Sequence, residues 1–123
     1  MKLEIILSGQ CKNSPKNQRV ETIAVALLVG DTKAASTLLS HDCVWHLADG
    51  QTLTGEDIHV YLTQRQPPGS VTITHVITLG KSGAVNARLN IGNTQYRQCD
   101  IFDFTNAKGQ SIKQVTTYRT LLD

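Results

Sequence analysis

The sequence predicts an α+β domain in which N-terminal helices pack on a strongly curved, mainly antiparallel sheet, so that the two form a cone with an apolar interior. Three observations predict it. Apolar residues recur at helical spacing in the first half of the chain, and segments rich in β-branched residues fill the second half. Glycine-containing turns separate those segments. Helices followed by a run of strands are typical of the α+β class.

The length supports one domain with a single core. The chain has 123 residues, of which 40% are hydrophobic and 18% are charged, and these values are ordinary for a globular protein. We assign residues 1–12 to an N-terminal lead-in segment and residues 13–123 to a single domain. Within the lead-in, residues 3–7 are expected as a short edge strand or as an ordered extension.

Charge pattern and segment length argue against several classes of function. The net charge is +2, and the twelve Lys and Arg residues form no run, so no nucleic-acid partner is predicted. No segment approaches the ~20 apolar residues that a membrane span needs, and the N-terminus lacks the apolar core of a signal peptide. We therefore expect a protein without a membrane partner.

The cysteines and histidines show no ligand spacing. Cys11, Cys43 and Cys99 form neither a C-x-x-C pair nor a disulfide pattern, which indicates reduced thiols in a cytoplasmic protein. The four histidines form no H-x-H or H-x-x-x-H pair. No metal and no cofactor are predicted.

Two helices are predicted before the first long strand. The first spans residues 13–29, with Ser14 as its N-cap, Pro15 at the first helical position and Gly30 as its stop. A second, shorter helix follows directly and ends at residue 39. The glycine between them allows the chain to reverse without a long loop.

A short strand, a turn and a third helix come next. The strand is predicted at residues 43–47 and the turn at residues 48–53. Thr54 is expected to cap the third helix, with Asp57 completing a weak capping box. That helix ends before residues 66–69, QPPG, because two prolines cannot continue it.

Four strands complete the chain as an antiparallel meander. They are predicted at residues 71–79, 84–91, 94–104 and 111–122, separated by turns that each contain glycine. Because alternate residues of a strand share a face, each strand offers one set of side chains to the interior of the cone and one to its outside.

Three segments carry a family resemblance, in chain order LLVGD, HDCVWHLADGQTLTG and CDIFDFTNAKGQSIKQVTTY. Their order and spacing resemble the NTF2-like superfamily, in its SnoaL-like and ketosteroid-isomerase-like branch, over residues 13–120. More narrowly, NSPK, GKSGAVNA and CD-x-F-x-F resemble a group of small bacterial NTF2-like proteins without an assigned activity. The superfamily includes isomerases, dehydratases, epoxide hydrolases, cyclases and binding modules, so the resemblance implies the fold and not one reaction.

Ketosteroid isomerases use three polar residues, and only part of that set is present. Their neutral aspartic acid, which donates a hydrogen bond, corresponds to Asp100. Their tyrosine donor corresponds to Ile23, which has no hydroxyl. Their aspartate base corresponds to His46 when counted back from Gly55, or to Leu47 when counted forward from Asp42. Steroid isomerisation is therefore not predicted.

Strand parity places the two acids of the segment CDIFDF, Asp100 and Asp103, on opposite faces of the strand. One face carries Asp100 together with Tyr96, Gln98, Phe102 and Phe104. A carboxyl among aromatic rings has a raised pKa because burial disfavours its charged form. It could then act as a hydrogen-bond donor or as a general acid or base. The alternative is a structural carboxyl bonded to its neighbours, because such networks also shift pKa values.

His46 is the second candidate. Its unperturbed pKa of ~6.5 would suit a general base if the ring faces the cavity. The alternative is a partly exposed histidine at the end of a strand. Trp45 points to the opposite face from His46, as core or as pocket wall.

These residues lead to three hypotheses. The first is a cofactor-free isomerase, lyase or hydrolase acting on a small, mostly apolar molecule, with Asp100 and His46 as catalytic groups. The second is a binding module that uses the same pocket without chemistry. The third is a structural or partner-binding homodimer with a filled cone. The expected pocket residues are Trp45, Tyr61, Tyr96, Gln98, Phe102, Phe104, Ile23 and Leu27.

The outer face of the sheet is predicted to combine polar residues with an apolar centre, which suits a two-fold interface. The resemblance also implies a homodimer through this surface. The residues expected there are Thr72, Thr74, Val76, Thr78, Arg88, Arg97, Cys99, Ile101, Lys113, Val115, Thr117, Arg119 and Leu121.

Overall fold

The computed structural model describes residues 3–9, 11 and 14–122, and these form three helices and seven strands. The helices precede the long strands, so the α+β class is confirmed. In chain order the elements are β1 Glu4–Ile6, α1 Pro15–Val29, α2 Thr32–Leu38, β2 Leu39–His46, β3 Thr52–Thr54, α3 Glu56–Gln64, β4 Ser70–Leu79, β5 Ser82–Ile91, β6 Thr94–Phe104 and β7 Ile112–Leu121.

One curved sheet contains all seven strands of the described residues. Its order is β1-β4-β5-β6-β7-β2-β3. The predicted meander from β4 to β7 is confirmed as consecutive antiparallel pairs. Two pairings are parallel: β1 lies along β4 and β2 lies along β7. Helix α1 packs on β4 and β5, which leaves the other face of the sheet uncovered by helix.

The narrow part of the cone is a dry core. Phe102 and Phe104 of β6 are fully buried against Ile23 of α1 and Val115 of β7. Burying one such side chain stabilises a fold by ~1.5–3 kcal/mol relative to leaving it in water. This cluster holds α1 against the sheet and fixes the position of the wider end.

Both ends of α1 follow the sequence prediction within the described residues. The Ser14 hydroxyl accepts a hydrogen bond from the Asn17 backbone N–H at 3.1 Å, and Pro15 occupies the first turn. At the other end the Gly30 N–H donates to the Ala26 carbonyl at 2.9 Å. The predicted start at residue 13 lies outside the described residues.

The region between α2 and α3 contains more strand than predicted. Helix α2 ends at Leu38, and β2 begins at Leu39 rather than at residue 43. The predicted turn at residues 48–53 includes part of β3, whose partner is the end of β2. The reason is that β2 gains a second neighbour in this way, with β7 on one side and β3 on the other.

The predicted cap of α3 is wrong. Thr54 is still paired within the sheet, opposite Val44, and the N-cap is Gly55, which offers no side-chain acceptor. Glu56 and Asp57 occupy the first turn instead. Their negative charges interact favourably with the helix dipole there.

An irregularity in β4 reverses the face of its second half. Ile73 pairs with Ala87, and the register then shifts so that Val76 pairs with Val85. One extra residue in a strand moves every following side chain to the other face. The assignment of Val76 and Thr78 to the outer face is therefore wrong. Val76 is buried, and the Thr78 hydroxyl donates a hydrogen bond to the side-chain oxygen of Asn17 in α1.

The predicted faces of β7 are also reversed. A register shift lies where Phe104 pairs with Ile112, and beyond it Val115 pairs with Phe102. Thr117 and Arg119 then pair with the inward-facing Asp100 and Gln98, so Val115, Thr117 and Arg119 all lie on the inner face. Leu121 pairs with Tyr96 and has the same parity. Their assignment to the outer face is wrong.

The lead-in segment contains a short edge strand, β1, rather than only an ordered extension. Residues Glu4 to Ile6 pair with Ser70 to Thr72, so the strand alternative is confirmed. The segment after β1 is held by a buried acid: Glu21 of α1 accepts hydrogen bonds from the backbone N–H and the hydroxyl of Ser8, at 2.9 and 2.8 Å. Among the described residues, no helix is long and apolar enough to cross a membrane.

The end of α1 lies directly against α3. Gly30 has a φ of +81°, and a Cβ atom added to it would lie 2.8 Å from the Leu62 backbone carbonyl oxygen of α3. This contact has no room for a side chain. It fixes how closely the C-terminal end of α1 approaches α3.

Replacing Gly30 by alanine tests this contact. We expect Gly30→Ala to lower the free energy of unfolding by more than ~2 kcal/mol, since it adds a backbone clash to the ~1–2 kcal/mol cost of the left-handed conformation. The control is Gly50→Ala, where φ is +95° and no atom lies within 4 Å of the added Cβ. Urea unfolding measures both. Equal losses would show that the close approach to α3 adds nothing.

Candidate functional site

The wide end of the cone contains a cavity of about 270 Å³. Helix α1 supplies one wall, the end of α3 another, and the strands β2, β6 and β7 form the floor. The residues that line it are Leu27, Trp45, Leu47, Ala48, Asp49, Tyr61, Arg65, Tyr96, Gln98, Thr117 and Arg119.

A fully buried carboxyl lies beneath this floor. Asp100 is only 2% exposed. Its Oδ1 atom accepts a hydrogen bond from the Thr117 hydroxyl at 2.6 Å. The side-chain amide of Gln98 donates to both carboxyl oxygens, at 3.1 and 3.3 Å. Thr117 and Gln98 line the cavity, and Asp100 itself does not.

Two donor-only groups fix the direction of every hydrogen bond in this network. The Trp45 indole N–H donates to the Thr117 hydroxyl oxygen at 2.9 Å, so the single hydroxyl proton is free to point at Asp100. The Arg119 guanidinium donates to the Gln98 side-chain oxygen from Nε at 2.9 Å and from Nη2 at 2.7 Å. The Gln98 amide must then face Asp100, which is the final acceptor of both chains.

Opposing effects act on the pKa of Asp100. Burial is the largest and raises the pKa above the usual range of a carboxyl. The hydrogen bonds from Thr117 and Gln98 and the charges of Arg119 and Arg65 act in the opposite direction. Burial outweighs them, so the net shift of the pKa is upward.

Aromatic rings and guanidinium groups form the upper wall. Trp45 and Tyr61 meet edge to face, with ring centroids 5.4 Å apart and an angle of 88°. The Arg65 guanidinium carbon lies 5.3 Å from the centroid of the Tyr61 ring. The Arg119 guanidinium carbon lies 5.3 Å from the centroid of the Tyr96 ring. The cavity therefore combines flat apolar surfaces with two cations.

Five of the residues expected in a pocket are brought together here: Leu27, Trp45, Tyr61, Tyr96 and Gln98. Trp45 is both buried core and cavity wall, so its two alternatives are not exclusive.

Three others are placed elsewhere. Ile23, Phe102 and Phe104 pack in the core of the narrow end, and none of them lines the cavity, so their assignment to the pocket wall is wrong. The cone tapers, and side chains of this size fill it completely at that level.

Of the two alternatives for His46, the structure shows the histidine at the end of a strand, facing away from the cavity. It pairs with Thr116 on the face of the sheet opposite to Asp100, while its neighbour Trp45 pairs with the inward-facing Val115. Its Nδ1 atom lies 3.3 Å from the Thr52 hydroxyl oxygen. The histidine is half-buried at the end of β2, which is the alternative that strand parity leaves open.

Sequence reasoning misses several cavity residues. It places Thr117 and Arg119 on the wrong face because the irregularity in β7 has no sequence signal. Arg65 follows α3 at its C-cap, where the chain turns toward the sheet, and a loop residue of this kind has no periodicity to reveal its direction. At residues 47–49 the sequence indicates only the end of a strand and a turn.

A larger groove of about 370 Å³ lies between α2, β2 and α3. It is lined by exposed residues such as His41 and His59 and by the buried thiol of Cys43. Burial, followed by the nearby charge of Asp42, raises the pKa of that thiol to about 12, which disfavours the reactive thiolate. The groove has no hydrogen-bonded network at its floor among the described residues, and we regard the smaller cavity as the candidate site.

Within the described part of the chain, no group of three or more His, Cys, Asp or Glu side chains could hold a metal ion. Apart from the carboxylate of Asp49 in the turn, the polar groups that line the candidate site are guanidinium, amide and hydroxyl groups.

Comparison with known proteins supports the fold alone. No protein-family model matches the chain, and no curated protein matches it either. An NTF-2-like protein of unknown function from Burkholderia xenovorans superposes with a TM-score of 0.75 at 12% identity, over 89% of this chain and 86% of that one. A candidate ketosteroid isomerase from Kribbella flavida superposes with a TM-score of 0.73 at 18% identity, over 88% and 79% of the two chains.

A third solved structure leads to the same conclusion. An NTF2-like protein of unknown function from Cytophaga hutchinsonii superposes with a TM-score of 0.67 at 19% identity, over 85% of this chain and 99% of that one. Such low identities carry no function from one chain to another. They do show that this chain has the NTF2-like fold, as its sequence landmarks predict.

The pH dependence of stability tests the state of Asp100. Because its folded pKa is raised, folding favours the neutral form, and stability falls as pH rises from ~4 through the folded pKa. We expect Asp100→Asn to remove this decline. Urea unfolding from about pH 4 to about pH 8 measures the difference from wild type.

The control is Asp103→Asn on the outer face of the same strand, where the carboxylate accepts a hydrogen bond from Ser82 at 3.1 Å. It leaves Asp100 in place, so it should keep the wild-type decline. An Asp100→Asn variant that loses stability with pH as steeply as wild type would contradict the raised pKa.

Proposed function

We propose that this chain is a small-molecule-binding protein whose ligand occupies the cavity at the wide end of the cone. The observation that carries the proposal is the combination of ring surfaces on the walls with a floor whose hydrogen bonds are all directed. Trp45, Tyr61 and Tyr96 offer flat apolar contact. Gln98 and Thr117 are held in one orientation by hydrogen bonds from the walls and to the buried Asp100. Binding sites for small molecules combine these two elements.

The size of the cavity suggests a compact ligand. Its volume of about 270 Å³ is near the lower end of the ~300–1,000 Å³ found for small-molecule sites. One or two fused rings with a polar substituent would fill it. Tyr61 and Trp45 already meet edge to face, and a ligand ring can add to that arrangement with a gain of ~0.5–1.5 kcal/mol per contact.

Binding without chemistry fits the site better than catalysis as an isomerase, lyase or hydrolase. A general acid or base must lie within hydrogen-bond reach of the reacting atom. Asp100 is separated from the cavity by Gln98 and Thr117, and His46 lies on the opposite face of the sheet. In this proposal Asp100 is a positioning residue that orders the floor, and a bound molecule is recovered unchanged.

Fluorescence of Trp45, the single tryptophan of the chain, tests binding directly. We expect compact aromatic acids and amides, such as naphthoate and naphthamide, to quench it saturably. Ala48→Phe is expected to weaken binding at least ~tenfold, since Ala48 is an exposed residue at the cavity mouth and a ring there narrows the entrance. Mass spectrometry of the recovered ligand tests for turnover.

The matched control is Ala107→Phe, an exposed alanine in the turn between β6 and β7. It should bind as wild type does. Equal affinity of wild type and Ala48→Phe, or the absence of any quenching by the panel, would contradict the cavity as a binding site. A new product would favour the enzyme hypothesis instead.

We also infer that two copies of the chain associate through the outer face of the sheet. Three large side chains are strongly exposed on that face: Ile77 at 62%, Leu79 at 84% and Tyr118 at 60%. Apolar side chains grouped on one face of a small protein are typical of an interface. Arg97 and Asp103 lie on the same face, so a two-fold axis can bring unlike charges together.

The mass in solution tests the dimer. The chain weighs 13.5 kDa, and light scattering coupled to size exclusion should give twice that value for wild type. We expect Ile77→Glu to give the monomer mass, because it buries a charge in the interface. The control is Val60→Glu on α3, where the side chain is 40% exposed and remote from that face. A monomeric wild type would exclude this association without affecting the cavity.

A further inference from the structure

We propose that the ligand of the cavity is an organic carboxylate, whose anionic group is bound by the guanidinium groups of Arg65 and Arg119. The inference rests on the proposed binding function and adds the charge of the ligand. It replaces the expectation of a mostly apolar molecule with that of a planar apolar body carrying one negative charge.

Arg65 supplies the first cation. Its Nε and Nη2 atoms are buried and have no hydrogen-bond partner among the described residues. The guanidinium lies over the Tyr61 ring, and its interaction with that side chain leaves Nε and Nη2 unpaired. Buried donors of a charged group without partners are costly and uncommon in folded proteins. An acceptor that enters the cavity would remove that cost.

The physical state of Arg65 points in the same direction. Burial lowers the pKa of its guanidinium, and the neighbouring Tyr61 opposes that shift. A cation held in a poorly solvated position interacts strongly with an anion, because little water competes for either charge. Folding has already removed water from the arginine, so the ligand meets a preorganised partner.

Arg119 supplies the second cation. Its Nε and Nη2 atoms donate to the Gln98 side-chain oxygen, which leaves the Nη1 group without a hydrogen-bond partner in the described structure. Gln98 stands between Arg119 and Asp100, so the arginine forms no direct ion pair with that carboxyl. Its ring contact with Tyr96 fixes the plane of the guanidinium at the cavity wall.

The balance of charge in the cavity is positive. The lining contains Arg65 and Arg119 against a single acid, Asp49. Asp49 lies in an exposed turn, and its two oxygens accept hydrogen bonds from the backbone and the side chain of Gln51, at 3.0 and 2.7 Å. Asp100 lies below the floor, where Thr117 and Gln98 donate hydrogen bonds to it, and it does not line the cavity.

A carboxylate suits these groups better than a phosphate. The planar fork of a guanidinium matches the two oxygens of a carboxylate. The remaining wall is formed by Trp45, Tyr61 and Leu27, and moving a doubly charged group into such surroundings costs more than moving a single charge. The ring of the ligand would lie against Trp45 while its carboxylate meets the arginines.

Isosteric pairs of probes test the proposal. Benzoate, cinnamate and naphthoate are each compared with the corresponding primary amide, which has the same shape and no charge. Calorimetric titration of wild type at low ionic strength should give at least ~tenfold tighter binding of the best acid than of its amide, because hydrogen bonds to charged groups are worth ~1.5–3 kcal/mol. The difference should shrink as salt is added.

Variants of the two arginines locate the effect. Arg119→Gln should reduce the preference for the acid to within ~twofold, and Arg119→Lys should retain part of it. Arg65→Met should do the same as Arg119→Gln and should fold, because it removes unpaired buried donors and keeps an apolar stem. The matched control is Arg97→Gln on the outer face of β6, which should keep the preference of wild type.

Three results of these titrations would contradict the carboxylate proposal. Equal binding of acid and amide would overturn the carboxylate proposal and leave the binding function of the cavity intact. An undiminished preference for the acid in both arginine variants would overturn it as well, since the anion would then be bound elsewhere. Failure of every acid and every amide to bind wild type would overturn the carboxylate proposal together with the proposed function.

Discussion

The burial of one carboxyl constrains the wide end of this molecule. A carboxyl removed from water must be surrounded by donors. Asp100 obtains them from Gln98, two residues earlier on β6, and from Thr117, its partner on β7. Those two groups are in turn held by Trp45 of β2 and Arg119 of β7. Three strands are therefore joined by side chains as well as by backbone pairing. The side chains of Gln98 and Thr117 at the cavity floor take the orientations that satisfy the Asp100 carboxyl, which does not itself line the cavity.

The cone is divided by polarity along β6. Toward its C-terminal end, Phe102 and Phe104 fill the narrow part completely. Two residues earlier the same face carries Asp100, and before it Gln98 and Tyr96. Every second residue of β6 points inward, and along the strand these residues form first the cavity wall, then the buried acid and then the core. The cavity begins where the packed ring of Phe102 gives way to the hydrogen-bonded Asp100 and Gln98.

Local signals predict local structure well. Ser14 and Gly30 define the ends of α1, and the alternation of β6 is enough to identify the buried side of Asp100. Strand faces across an irregularity could not be predicted, because an extra residue in β4 or β7 has no compositional signal and reverses everything after it. The expected faces of Thr117 and Arg119 are wrong for that reason. The contact between Trp45 and Thr117 joins residues 72 positions apart through a parallel pairing of β2 and β7, which sequence periodicity does not reveal.

The short strand β1 has a consequence for the behaviour of the protein at high concentration. A long β-branched strand at the edge of a sheet is a template on which other chains can add and grow into fibrils. Strand β4 would be such an edge, but β1 occupies its first part, at Ser70 to Thr72, and the irregularity after Ile73 interrupts the ladder beyond it. The opposite edge is β3, with three residues. The short strands and the irregularity therefore limit the regular edge that the described sheet offers to other chains.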